Sequence, residues 1–200
     1  MAVLIEHEKR KEEILEKAFD LFVEEGYEDV TFQKIADRCG ITRTTLYIYF
    51  KNKREIFRWS IKQFLSSIEA RIVSIAGDEG ISAAESLEKT LGIILDECEK
   101  NARLFKVLLP YLLQMQKSGG DVKKVVERRI VKLQHFINVI LIRGRGRGEF
   151  NGALTIKDMY AMILSVVESA VFRLAVIGET ELAFSRGTMK SVLGMIREVK

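Results

Sequence analysis

The chain has 200 residues, 48% of them apolar and 30% charged, with a formal net charge of +4; this is the profile of a folded chain with a sizeable core, not of a disordered or fibrous one. Its two cysteines, Cys39 and Cys98, form no disulfide framework, and its two histidines, His7 and His135, lie at no metal-ligand spacing from them or from each other. The opening MAVLIEHEKRKEE lacks an apolar segment of signal-peptide length and no uninterrupted apolar run reaches about 18 residues, so neither secretion nor a membrane span is expected and the chain is placed in the reducing cytoplasm.

Glu, Lys, Leu and Ile are frequent and proline occurs once, at Pro110, which favours helix nearly throughout. The first helix is predicted over roughly residues 8–25, from the recurrence of Ile14, Leu15, Ala18, Leu21, Phe22 and Val23 at three and four, and it ends at Gly26. Thr31 is an N-cap for a short helix that places Phe32, Ile35, Ala36 and Cys39 on one side and stops at Gly40. Thr42 is a second N-cap, and TRTTLYIYFKNK follows. The β-branched and aromatic residues of that stretch favour a strand locally. A lone strand, however, has no partner for its backbone hydrogen bonds, whereas a helix over 43–49 gathers Leu46, Tyr49 and Phe50 on one face. Two short helices joined through Cys39-Gly40-Ile41-Thr42 form a helix-turn-helix.

Charge is distributed unevenly over the same region. Residues 1–30 carry four cations against ten acids, whereas residues 31–54 carry six cations against Asp37 alone. A basic island of this kind is the footprint of a polyanion-binding surface. Beyond it, longer helices are predicted from Lys53 or Arg54 to about Ile75, from a cap at Ser82 through Leu95, over 103–116 with a kink at Pro110, from Val122 to Ile142, and near 155–177 and 185–199. RGRGRGEFNG is predicted as a charged loop between helices.

The segment from KRKEEILEKAFDLFVEEGYEDVTFQKIA through CGITRTTLYIYFKNKREIF resembles the N-terminal domain of the TetR family of bacterial transcriptional regulators, over about a quarter of the chain. The resemblance implies an all-α fold of about nine helices, with a helix-turn-helix DNA-binding domain over 1–53 and a helical regulatory and dimerisation domain over 54–200. By position it implies that Thr31 touches phosphate, that Arg43 and Thr44 reach base edges, and that Thr45, Tyr47, Tyr49 and Lys53 touch the DNA backbone. The residue chemistry agrees: a guanidinium fork suits guanine O6 and N7, and a phenolic hydroxyl bonds phosphate. The chain departs from the family pattern at Thr44, where glycine is frequent, and at Ile48, where tyrosine or histidine is frequent and isoleucine donates no hydrogen bond.

The last two helices present apolar stripes that include Met162, Val166, Ala170, Met189, Val192, Leu193 and Ile196, expected as the interface of a homodimer that spans two operator half-sites. Trp59, Phe64, Phe105, Leu108, Tyr111, Met115, Phe136, Met159 and Phe172 are expected to line a pocket for a small apolar or amphipathic effector. Ordinary core packing is the alternative for each of them. The expected function is a ligand-released repressor, against an effector-independent or architectural DNA-binding protein. No cofactor is expected. An enzyme is disfavoured, since the sequence carries no Ser/His/Asp set, metal cluster, P-loop or dinucleotide fingerprint.

Overall fold

The computed structural model describes residues 2–197, with side chains from residue 5 onward. In chain order the helices are α1 (Ala2–Glu25), α2 (Phe32–Cys39), α3 (Arg43–Tyr49), α4 (Lys53–Ala76), α5 (Ala83–Lys100), α6 (Ala102–Lys117), α7 (Val122–Gly146), α8 (Ile156–Phe172) and α9 (Ala183–Ile196), and a π-helical turn at Arg173–Ile177 extends α8. Among the described residues the extended pairing is a single isolated bridge, Phe150 with Arg197. The chain divides into two compact units at Ser67/Ile68, inside α4. This differs from the boundary at 53/54 drawn from sequence. The first half of α4 lies with the N-terminal unit because Ile56, Phe57 and Ser60 are buried there, Ser60 donating to the Leu15 carbonyl of α1 at 2.9 Å.

In the N-terminal unit the core is Ile14, Leu15, Ala18, Leu21 and Phe22 of α1, joined by Val30, Ile35, Ala36, Leu46, Phe50, Ile56 and Phe57. Phe22, Tyr27 and Phe57 form an aromatic knot with centroids 4.9–5.8 Å apart. Each short helix begins on the threonine expected of it: Thr31 Oγ1 accepts from the Lys34 amide at 3.2 Å, and Thr42 Oγ1 from the Thr45 amide at 3.0 Å. The turn between them closes on Gly40 at φ 67°, a left-handed conformation that favours glycine. Its amide donates to Asp37 and that of Ile41 donates to Ala36, the double bond that ends a helix sharply.

The second unit packs α5, α7, α8 and α9 around one core that includes Leu87, Leu91, Ile137, Ile140, Met159, Ile163 and Leu174. α5 starts on Ser82, whose hydroxyl accepts from the Glu85 amide, and α8 starts on a reciprocal cap between Thr155 and Asp158. α6 runs unbroken through Pro110, which is exposed along with Lys106.

Two expectations change. The arginine-glycine run is helical as far as Gly146, not a loop from Arg143. Arg143 donates to the carbonyls of Ala76 and Asp78, and Arg145 to those of Gly152 and Leu154, so both guanidinium groups brace chain turns. Gly144 is buried where a β-carbon would meet the Phe150 ring at 2.2 Å and Ala83 at 2.8 Å.

The stripe expected to face a second subunit is the second change. Val166, Ala170, Met189, Val192, Leu193 and Ile196 are buried inside the unit and Met162 is half-buried against the same core, because the most apolar stripe of a helix meets the nearest apolar surface, here α5, α7 and α9 for α8, and α8 for α9. The segment Ile156–Ile177 is long and apolar enough by length and composition to cross a membrane, with Glu168 and Arg173 inside it. Met159, Ile163, Val167 and Ala170 turn one side of that segment into the core.

Candidate nucleic-acid interface

The cap at Thr42 starts α3, and buried Leu46 fixes its inner side, so Arg43, Thr44, Tyr47 and Ile48 all face outward. Thr31 is exposed at the start of α2. The Phe32 and Tyr47 rings lie 4.5 Å apart, which brings the beginning of α2 against α3 and places Thr31, Arg43, Thr44 and Tyr47 on one surface. Arg43 Nη2 donates to Tyr47 Oη at 3.2 Å. Thr45 is half-buried, its hydroxyl 2.8 Å from that of Thr42. Tyr49 is half-buried too, stacked on His7 of α1 at 4.6 Å.

Lys53 has a role that sequence reasoning missed. Its ammonium donates to the carbonyls of Tyr27 at 2.8 Å and Glu28 at 3.1 Å, and lies 4.6 Å from the Tyr27 ring centroid. It therefore fastens the start of α4 to the connection between α1 and α2. Lys34 reaches Glu25 at 2.6 Å and the Asp29 carbonyl at 3.2 Å, while Arg38 forks onto both carboxylate oxygens of Glu24. Half of the six cations in the island are thus tied to the acidic helix or its following turn. Arg43 bonds the Tyr47 hydroxyl, and among the described residues no carboxylate pairs with Arg43, Lys51 or Arg54.

The residues expected to line an effector pocket do not all converge. Trp59 and Phe64 belong to the N-terminal unit, where Trp59 is exposed and Phe64 stacks on Phe19 at 5.0 Å. Phe64 helps line an open surface groove of about 220 Å³ with Leu15, Glu16, Phe19 and Asp20. In the second unit Met159 is fully buried in the core, with Phe105 and Phe136 half-buried against it; Tyr111 and Met115 are buried on α6, Leu108 is half-buried, and Phe172 is exposed. A second open groove, about 140 Å³, lies between α8 and α9 and is lined by Ser165, Val166, Ser169, Phe184, Ser185 and Thr188. Among the described residues no group of three or more His, Cys, Asp or Glu side chains is placed to hold a metal ion.

A capped seven-residue helix that presents a guanidinium, two hydroxyls and no buried outer face, set behind a tight turn in an all-α chain, defines a helix-turn-helix DNA-binding regulator. Residues 14–58 match the model of the family described as bacterial regulatory proteins, tetR family. The chain is 23% identical over 163 residues to the fatty acid metabolism regulator protein of Bacillus subtilis, covering 80% of each. Its fold is similar to that of a TetR transcription regulator from Haloarcula marismortui, with a TM-score of 0.82 at 19% identity over 96% of this chain and 100% of that one. It is also similar to the Bacillus subtilis regulator FadR solved with stearoyl-CoA, with a TM-score of 0.70 at 21% identity over 92% and 98%. Residues 14–58 thus carry the N-terminal domain of the tetR family of bacterial regulatory proteins, and the whole chain shares the fold of TetR-family regulators.

Proposed function

We propose that the protein is a homodimeric repressor that reads a two-part operator through α3 and leaves it when a small apolar or amphipathic ligand binds the second unit. The observation that carries the proposal is the outward face of α3, where Arg43 and Thr44 are the base readers. Thr31, Thr45, Tyr47, Tyr49 and Lys53 are proposed to touch the backbone, Lys53 through the proton not directed at its two carbonyl acceptors. A single α3 spans too few base pairs for useful selectivity, and a two-fold dimer doubles the site.

The dimer face is reassigned to the outer side of the last two helices. Phe172, Val176, Ile177, Phe184 and Met195 are each more than half exposed there. Their exposed apolar surface is the basis for proposing association there. An effector of elongated apolar character is supported by the similar fold solved with stearoyl-CoA. A ligand releases DNA only in so far as it binds the released state more tightly than the bound one.

The test begins with selection from a pool of random duplexes by the full-length protein, followed by anisotropy titration of the enriched duplex. A two-part site and an affinity lowered by stearoyl-CoA are expected. The filled core around Met159, Ile163 and Leu174 favours the second reading, an effector-independent regulator. That reading stands if the affinity is flat in stearoyl-CoA, in the free fatty acid and in a steroid, with no ligand raising the unfolding temperature.

A further inference from the structure

Three contacts connect α2 to the head group of Arg43. Phe32, the first residue of α2, is half-buried and its ring meets that of Tyr47 at 4.5 Å and 32°. Tyr47 is half exposed, yet this packing restricts its ring. Its hydroxyl accepts from Arg43 Nη2 at 3.2 Å, with the guanidinium carbon 5.7 Å from the ring centroid. An exposed arginine has many rotamers, and each one it gives up on meeting a base weakens binding. Here that freedom is already reduced before DNA arrives. The geometry suits i and i+4 on a helix, where side chains stack one turn apart. Tyr47 Oη accepts from Arg43 and keeps its own proton, so it remains able to donate to a phosphate.

We propose that Phe32 and Tyr47 are positioning residues for base recognition: Phe32 fixes the Tyr47 ring, and Tyr47 aims the Arg43 guanidinium at the groove. The proposal rests on the assignment of α3 as the reading helix. It gives Phe32, which presents no polar side-chain atom to DNA, a part in selectivity. It also gives Tyr47 a second task besides a backbone contact.

Selection from random duplexes with the full-length wild type establishes its preference, and Arg43→Ala identifies the base pairs that Arg43 reads. Phe32→Leu, checked for unchanged helical content by circular dichroism, is expected to flatten the preference at those same pairs by about three- to tenfold and to leave the others as they are. Phe32→Tyr, which keeps the ring, restores the wild-type profile. In an Arg43→Ala background Phe32→Leu changes nothing further at those pairs, because the two act in series. A Phe32→Leu profile equal to wild type, or flattened evenly at every position, overturns the proposal. If Phe32→Leu does not fold, Tyr47→Phe takes its place, since it retains the ring and loses the acceptor. A preference flattened at the Arg43 pairs, beyond any even loss of affinity from the missing phosphate donor, then supports the positioning role, and a preference unchanged at those pairs overturns it. If the wild type enriches no sequence, the DNA assignment itself fails and the positioning role falls with it, an outcome distinct from an unchanged Phe32→Leu profile.

Discussion

Replacing Lys53 by methionine separates two roles for one ammonium group. The variant keeps the aliphatic stem and removes two hydrogen bonds, to Tyr27 O at 2.8 Å and Glu28 O at 3.1 Å, together with the approach to the Tyr27 ring. Charge-assisted bonds of this kind contribute about 1.5–3 kcal/mol each where water is excluded. Lys53 is half-buried and its bond to Glu28 is exposed, so the pair is discounted to about 1–2 kcal/mol in total. Trp59, the single tryptophan, lies on α4 in the N-terminal unit, and its emission reports the unfolding of that unit. With a urea slope of about 1 kcal/mol/M for a unit of this size, the midpoint falls by about 1–2 M. Operator affinity falls as well, through the loosened turn ahead of Thr31 and the lost backbone contact, and its salt slope drops by about one. If Lys53 were solely a phosphate anchor, the midpoint would not move and the salt slope would drop by about one. An unmoved midpoint with a reduced slope refutes the fastening role.

Phe184→Asp places a charge in the centre of the exposed face of α8 and α9 and is expected to give monomers in sedimentation at micromolar concentration, with operator affinity at least tenfold weaker; a persistent dimer moves the interface elsewhere. Burial pushes the Cys98 thiol up to about 12, with Glu97 and Glu99 adding to the effect. Thiolate is then a trace at pH 8, and iodoacetamide is expected to label Cys98 only after denaturation. The hydrogen bond from Arg186 is the main influence holding the Glu99 carboxyl below its ordinary value, with the Leu182 amide assisting. A depressed folded-state value stabilises above the unfolded value and is lost as pH falls through the folded one. Glu99→Gln is therefore expected to shrink the drop in melting temperature between pH 6 and pH 3, and an unchanged drop counts against the bond. Finally, among the described residues of the basic island Arg43, Lys51, Lys53 and Arg54 pair with no carboxylate through their side chains, so a dimer that uses them displaces about eight counterions, a slope near −7 in log K against log salt. A slope near −10 means that Lys34 and Arg38 leave their carboxylates on DNA as well.

The parts of the fold that were legible in the sequence are those set by short-range chemistry. Thr31, Thr42 and Ser82 cap the helices they precede, Gly40 takes the left-handed turn, and Leu46 and Phe50 are buried as the helical spacing of α3 requires. Local strand propensity in TRTTLYIY was overridden because a seven-residue helix satisfies its own backbone and a solitary strand does not. Errors arose where the outcome depends on a distant partner. The glycines of the arginine run suggested a loop, yet Gly144 sits in the helix because the Phe150 ring needs the space a side chain would fill. Phe150 lies six residues beyond Gly144, past the end of the helix, and helical spacing does not announce its ring's approach.

The candidate interface divides along the same line. Which residues α3 exposes follows from its periodicity, so Arg43, Thr44 and Tyr47 were identifiable in advance. Which cations are free to meet phosphate did not follow, because a count of charges treats Lys34 and Arg38 like Lys51. The fold brings Glu24 and Glu25 at the end of α1 against α2, and removes two of those charges from the surface field. The apolar stripe of α9 misled for a related reason. Periodicity identifies the more apolar face of a helix, and the chain's own core has first claim on that face. The face left over on α9 is Phe184, Gly187, Ser191 and Met195, too mixed a set to stand out until the core side is occupied. In a small two-unit regulator, the surface that recognises others is thus the residue of folding, and it becomes readable only after the intramolecular partners have been assigned.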